Sequence, residues 1–144
     1  MSFSESNTNI MFIKNEWIAI TTNGVVKKNG ELVMGAGIAK QATIKYPGIA
    51  YALGQKVSEY GNNCYVNINK KIITIPVKYK WMDPANIELI ESSLQQLVKI
   101  VQVLDIQTCY MPRPGCGNGK LDWITQVKPI CEKYLDNKFI ICNI

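Results

Sequence analysis

Two short segments hold most of the residues able to do chemistry in this chain. Met34-Gly35-Ala36-Gly37-Ile38-Ala39-Lys40 runs straight into a helix-forming stretch, and Pro112-Arg113-Pro114-Gly115-Cys116-Gly117-Asn118-Gly119-Lys120 joins a strand-like run to another helical one. Glycine lets backbone N–H groups approach an oxyanion with no Cβ in the way, and a helix N-terminus adds partial positive charge, so each loop can cradle a phosphate. An ordinary tight turn is the alternative for either. Neither loop fits the common nucleotide fingerprints. Lys40 stands where a dinucleotide fold wants its third small residue, and Gly119-Lys120 is followed by Leu121 instead of the Ser or Thr that holds magnesium in a P-loop. What remains is a pair of loops at helix edges that can close together on a diphosphate.

Composition narrows the chemistry further. The 144 residues include no histidine, which removes the Ser-His-Asp triad, the Cys-His pair and every His-bearing zinc site. A base or nucleophile must therefore be Lys, Asp, Glu, Tyr or Cys. Cys64, Cys109, Cys116, Cys131 and Cys142 form no CxxC pair, are odd in number and sit mostly among apolar residues. They read as small buried hydrophobes in a reducing compartment, not as disulfides or metal ligands. Cys116 has no imidazole partner and reads as a filler between loop glycines. No metal and no cofactor is expected. A net charge of +5 suits an anionic ligand. The opening MSFSESNTN is polar, and no apolar run reaches the length of a membrane span, so a cytoplasmic protein without membrane contact is expected.

With 47% hydrophobic and 19% charged residues, the chain can bury a core as one domain over residues 1–144. Ile10 to Ile13 and Trp17 to Thr21 read as β-rich runs, followed by a turn-rich loop from Asn23 to Glu31. Ala36 to Tyr46 has helical composition up to Pro47-Gly48. Ile49, Leu53 and Val57 then mark a helix that stops at Gly61-Asn62-Asn63. Cys64 to Ile68 and Lys71 to Ile75 read as a hairpin turning at Asn69-Lys70. Asp83-Pro84 predicts a helix start, with Ile87, Ile90, Leu94, Leu97, Val98 and Val101 as its apolar stripe. Thr108 to Met111 is strand-like, Trp123 to Leu135 amphipathic, and Phe139 to Ile144 a short apolar run. Strands first, then strand alternating with helix, predict an α/β fold whose mixed sheet is covered by helices on both faces.

Together, Met34 to Ala39, Ile75-Pro76-Val77-Lys78 with Trp81 just after, and Met111 to Gly117 through Leu121-Asp122-Trp123 resemble the macrodomain family. Within it the chain is similar to the branch of the terminal ADP-ribose protein glycohydrolase and the macrodomain of the DNA ADP-ribosyl glycohydrolase antitoxin. The resemblance implies a three-layer α/β/α macrodomain with a mixed central sheet that binds ADP-ribose. Met34, Gly35, Ala36, Gly37, Ile38 and Ala39 would wrap the distal ribose and part of the diphosphate, with Asn23 at the ribose. Gly115, Cys116, Gly117, Asn118 and Gly119 would offer backbone N–H groups to the diphosphate, Pro112 would be a further ligand contact on the same loop, and Asn143 would lie near the adenine.

The resemblance also implies that Lys78 is catalytic. From the residues alone Lys78 reads as a solvated strand-end lysine, and only the resemblance turns that reading toward catalysis; an amine whose charge is suppressed by burial or by Lys80 can attack the anomeric carbon of the ribose. The protein-directed enzyme pairs its lysine with an aspartate where this chain has Gly119, and Leu121-Asp122-Trp123 is more like the DNA-directed enzymes. The implied activity is release of ADP-ribose from thymidine in single-stranded DNA, by a monomer. A non-catalytic ADP-ribose reader and a deacylase of O-acetyl-ADP-ribose are the alternatives. No toxin-binding domain follows in the sequence as it stands, so an antitoxin role is not expected. Arg113 reads as a ligand contact or as the partner of a surface carboxylate, and Trp81 as a base-stacking platform or a core wall. Trp123 reads as core. Lys27-Lys28 and Lys70-Lys71 read as solvated turns or as backbone-tracking cations.

Overall fold

Along β2 (Trp17–Thr22) and β4 (Ile72–Pro76) nearly every side chain is buried, as expected of central strands covered on both faces. A computed structural model describes residues 2–143. One six-stranded sheet runs in the order β1 (Ser4–Ser6), β6 (Phe139–Cys142), β5 (Cys109–Pro112), β2, β4, β3 (Val66–Asn67). Only β3 is antiparallel, paired to β4 through the predicted hairpin. Alternate residues split the core in two. Ala19, Ile73, Ile75, Met111, Phe139 and Ile141 face α3 (Ile87–Val103) and α4 (Lys128–Tyr134), while Ile18, Ile20, Ile72 and Cys142 face α1 (Gly37–Lys45) and α2 (Ile49–Tyr60). The mixed sheet between two helical layers is the architecture expected from the sequence.

The chain passes from β2 through α1 and α2 to β4 on one side, then through α3 to β5 on the other side of β2. The connection leaving β2 runs toward β4 and the one leaving β5 runs through α4 toward β6, in opposite directions, so a crevice opens beyond the carboxyl ends of β2, β4 and β5, at the two glycine loops.

Two local expectations are corrected. Ile10–Phe12 is a single 3₁₀ turn capped by Asn9, whose Oδ1 accepts from the Met11 amide, and not a strand. α3 starts at Ile87 rather than at Asp83-Pro84. The Ala85 amide donates to Gly119 O (2.9 Å) and the Asn86 amide to Val77 O (2.9 Å), which ties this stretch to the site loops, and the Asn86 side chain caps the helix from Leu89 N (2.9 Å). Trp123–Val127 forms a wider helical turn before α4, whose first turn carries Pro129. The polar strand β1 was not legible at all; it pairs in parallel with β6, Ser4 opposite Ile140.

Glu5 on β1 gathers three donors: Lys128 Nζ (3.1 Å), Trp123 Nε1 (3.2 Å) and Arg113 Nη2 (3.4 Å). Desolvation works to raise its pKa, but Lys128, Trp123 and Arg113 together hold it below the ordinary carboxylate value. The second glycine loop is thereby anchored to the far edge of the sheet.

Candidate functional site

A cleft of about 690 Å³ lies at the carboxyl ends of β2, β4 and β5. Asn23, Met34, Gly35, Ala36, Gly37, Ile38, Ala39, Lys78, Pro112, Gly115, Cys116, Gly117, Asn118 and Gly119 all line it. Asn143 does not: it is exposed, its amide donating to Ser6 O (2.8 Å) at the β1 edge. The adenine contact expected of it is not among the cleft walls. Residues not singled out from the sequence complete the lining, among them Asn9 and Ile10 of the 3₁₀ turn, Thr21 and Thr22 at the end of β2, and Gln41 of α1. The Asn9 cap, a polar residue directly before Ile-Met-Phe, is the signal that would have found the turn.

α1 begins at Gly37 with Ala36 as N-cap, a residue with no side chain to satisfy the first amides, and its first turn carries no acid. Its free N–H groups and partial positive charge therefore face the cleft. A Cβ placed on Gly35 or Gly117 meets nothing within 4 Å, so both glycines present bare backbone to open space; Gly117 has φ +74°. Gly115 and Gly119 serve packing instead, since a Cβ there would lie 2.7 Å from Ile90 Cδ1 and 2.9 Å from Ala85 Cβ respectively. Asn23 is nearly buried and braces the first loop from within, its Nδ2 donating to Val33 O (2.8 Å) and its Oδ1 accepting from Val25 N (2.9 Å). One of its amide hydrogens remains for a ligand.

Lys78 is half-buried just past β4. Its segment is held rigidly: Ser93 Oγ donates to Pro76 O (2.6 Å), Val77 N to Thr22 O (3.0 Å), and Asn62 Nδ2 to Lys78 O (3.0 Å). The Nζ donates to Trp81 O (3.2 Å) and to Asn118 O (3.1 Å), so the amine bridges from its own strand end to the second loop. Among the described residues, Lys78 and Arg113 are the only charged side chains lining the cleft, and no carboxylate does. The field inside is positive, which favours an anion.

The remaining candidates have local roles. Arg113 lies over the Trp123 ring (5.0 Å) and pairs with Glu5, as the second of its two readings has it, yet it also lines the cleft. Cys116 is half-buried; burial, opposed by Arg113 and aided by Asp122, pushes its thiol up to about 11, so at neutral pH it is a protonated filler. Asp122 Oδ2 is engaged in capping Thr125, through its amide (2.8 Å) and hydroxyl (2.6 Å). Trp123 is buried in the core, as expected, whereas Trp81 is no core wall and stands half in solvent at the cleft mouth. Lys27 pairs with Glu31 within its own turn (3.5 Å), whereas Lys71 donates to Asn15 O of a segment distant in sequence (3.3 Å).

No family model matches the sequence. Over 100 residues the chain is 35% identical to the DNA ADP-ribosyl glycohydrolase of Mycobacterium tuberculosis, a match covering 63% of this chain and 28% of that protein. The chain thus spans little more than a quarter of the curated relatives it matches. The macrodomain of M. tuberculosis DarG superposes with a TM-score of 0.80 at 25% identity, over 99% of this chain and 97% of that one. Thermosipho africanus DarTG, solved in complex with ADP-ribose, shares the fold at a TM-score of 0.78 and 22% identity, over 98% of this chain and 41% of that one. Among the described residues, no helix is long and apolar enough to cross a membrane.

Proposed function

This chain is a macrodomain, and we propose that it acts as an ADP-ribosyl glycohydrolase on thymidine-linked ADP-ribose in single-stranded DNA, with Lys78 as its catalytic residue. The observation that carries this reading is the placement of the Lys78 amine. It lies at the rim of a cleft whose two opposing walls, the uncapped start of α1 and the Gly115–Gly119 loop, both offer backbone N–H groups. A diphosphate held by those walls fixes the attached ribose beside the amine, which supplies the orientation that a displacement needs.

In the proposed step, the Lys78 nitrogen forms a bond to the anomeric carbon as the bond from that carbon to the thymine breaks. The base leaves with the electron pair and takes up a proton. Water then displaces the lysine from the sugar, releasing free ADP-ribose and restoring the amine. The Lys78 contacts with Trp81 O and Asn118 O must open for the attack, and both are single hydrogen bonds at the cleft rim.

The absence of a carboxylate among the described lining residues supports a DNA substrate over a protein one. The protein-directed enzymes of this branch carry an aspartate at the place of Gly119, and here an added Cβ would already crowd Ala85 at 2.9 Å. Incubation with thymidine-modified single-stranded DNA and, in parallel, with glutamate-modified protein tests this. Release from the DNA and little from the protein is the expected outcome. A reader of ADP-ribose marks releases nothing from either.

A further inference from the structure

Between Lys78 and Asn86 the chain makes a tight turn closed by the Asp83 amide donating to Lys80 O (3.2 Å), with Trp81 and Met82 at its corners. Tyr79 (58%), Trp81 (52%) and Met82 (58%) are exposed, an unusual cluster of large apolar groups on one short segment. Their backbone is nevertheless fixed. Tyr79 O accepts from Gly24 N (3.2 Å), Lys78 O from the Asn62 side chain (3.0 Å), and Trp81 O from Lys78 Nζ (3.2 Å). A fixed main chain displaying bare aromatic faces is a pre-organised surface that leaves its contacts to a partner.

The surrounding charge says which partner. Lys80 is exposed on the same turn. Lys120 is exposed on the second glycine loop, which reaches the turn through the Ala85 N to Gly119 O bond. Asp83 is the one acid on the turn. The patch is continuous with the cleft, because Trp81 belongs to both. Aromatic faces interleaved with lysines match a single-stranded nucleic acid, whose bases stack on rings while its phosphates meet the cations. A duplex hides those base faces.

We propose that the Tyr79–Met82 lip, with Lys80 and Lys120, is a stacking platform for the nucleotides flanking the ADP-ribosylated one, so that it selects an unpaired DNA strand. This rests on the reading of DNA as substrate, but it is testable without ADP-ribose. The probe is an unmodified oligothymidylate of about 12 nucleotides, a length in the range covered by single stacking domains, followed by anisotropy and by tryptophan emission. The strand should bind the unaltered protein and quench its emission, since Trp81 is the tryptophan more than half exposed. Trp81→Ala should weaken binding roughly tenfold, Trp81→Phe should largely restore it, and Lys80→Ala should lower the slope of log affinity against log salt by about 0.7. Equal binding by Trp81→Ala and the parent, unquenched emission on saturation, or a duplex bound as tightly as the strand each overturns the platform. Loss of ADP-ribose release with strand binding intact would instead sink the glycohydrolase reading alone.

Discussion

Lys78→Ala is expected to stop ADP-ribose release from modified DNA, by a factor on the order of a thousand or more, while the affinity for free ADP-ribose stays within about tenfold, or roughly 1.4 kcal/mol. The split follows from where the side chain sits. In the proposed complex the diphosphate meets backbone amides of α1 and of the Gly115–Gly119 loop, two segments that line the cleft, and none of these amides belongs to Lys78. Removing the amine therefore leaves the grip and deletes the group that attacks. Two hydrogen bonds from Nζ to Trp81 O and Asn118 O also go, but these are solvent-reachable contacts whose loss costs at most about 1 kcal/mol each. Single-turnover release measured beside ADP-ribose titration checks both halves. A variant that turns over at the parent rate removes Lys78 from the chemistry, and one that loses binding as severely as turnover makes it a ligand contact instead.

The largest expected loss of stability comes from a residue that touches no ligand. Gly54→Ala should lower the folding free energy by about 3 kcal/mol or more, read as a thermal midpoint lower by roughly 10 °C. On propensity alone, alanine would favour the α2 interior by about 1 kcal/mol. Packing decides otherwise. The added Cβ would lie 1.9 Å from Gly30 O and 2.8 Å from Leu32 N, and both are backbone atoms that no rotamer change can move aside. The Leu32 amide donates to Ala50 O (2.8 Å), which seals the strand-like Glu31-Leu32-Val33 segment onto α2 at that point. Since that segment leads into Met34 and Gly35, the same change should weaken ADP-ribose binding from a distance. A Gly54→Ala protein that melts at the parent temperature would mean that α2 and the loop sit farther apart than described.

The legible and the illegible parts of this chain differ for physical reasons. Strands β2 and β4 and helix α3 announced themselves because a buried element must carry an unbroken apolar run or stripe, and Ile72 to Pro76 and Ile87 to Val101 do. β1 did not, because an edge strand pairs through its backbone while Ser4, Glu5 and Ser6 remain polar. The start of α3 was misplaced because Asp83-Pro84 has good cap chemistry, yet two tertiary hydrogen bonds, Ala85 N to Gly119 O and Asn86 N to Val77 O, claim the amides around it. Propensity sees only neighbours in sequence.

At the site, the glycine loops were readable as paired backbone cradles, and their convergence on one cleft is what the fold supplies. The resemblance to macrodomains, and not spacing, singled out Lys78. The roles of Gly115 and Gly119 could not be read at all, since what distinguishes them from Gly35 and Gly117 is the presence of Ile90 and Ala85 behind them. Asn9 and Ile10 reach the cleft only through a turn that looked like strand.

Isothermal titration with free ADP-ribose tests the two-loop grip most directly, with Gly35→Val as the matched variant because its added methyls enter open cleft and not protein. One ligand per chain, saturating well below millimolar for the parent and lost for Gly35→Val, is the expected result. A parent titration that stays flat to millimolar, or a Gly35→Val isotherm that matches the parent's, would contradict it.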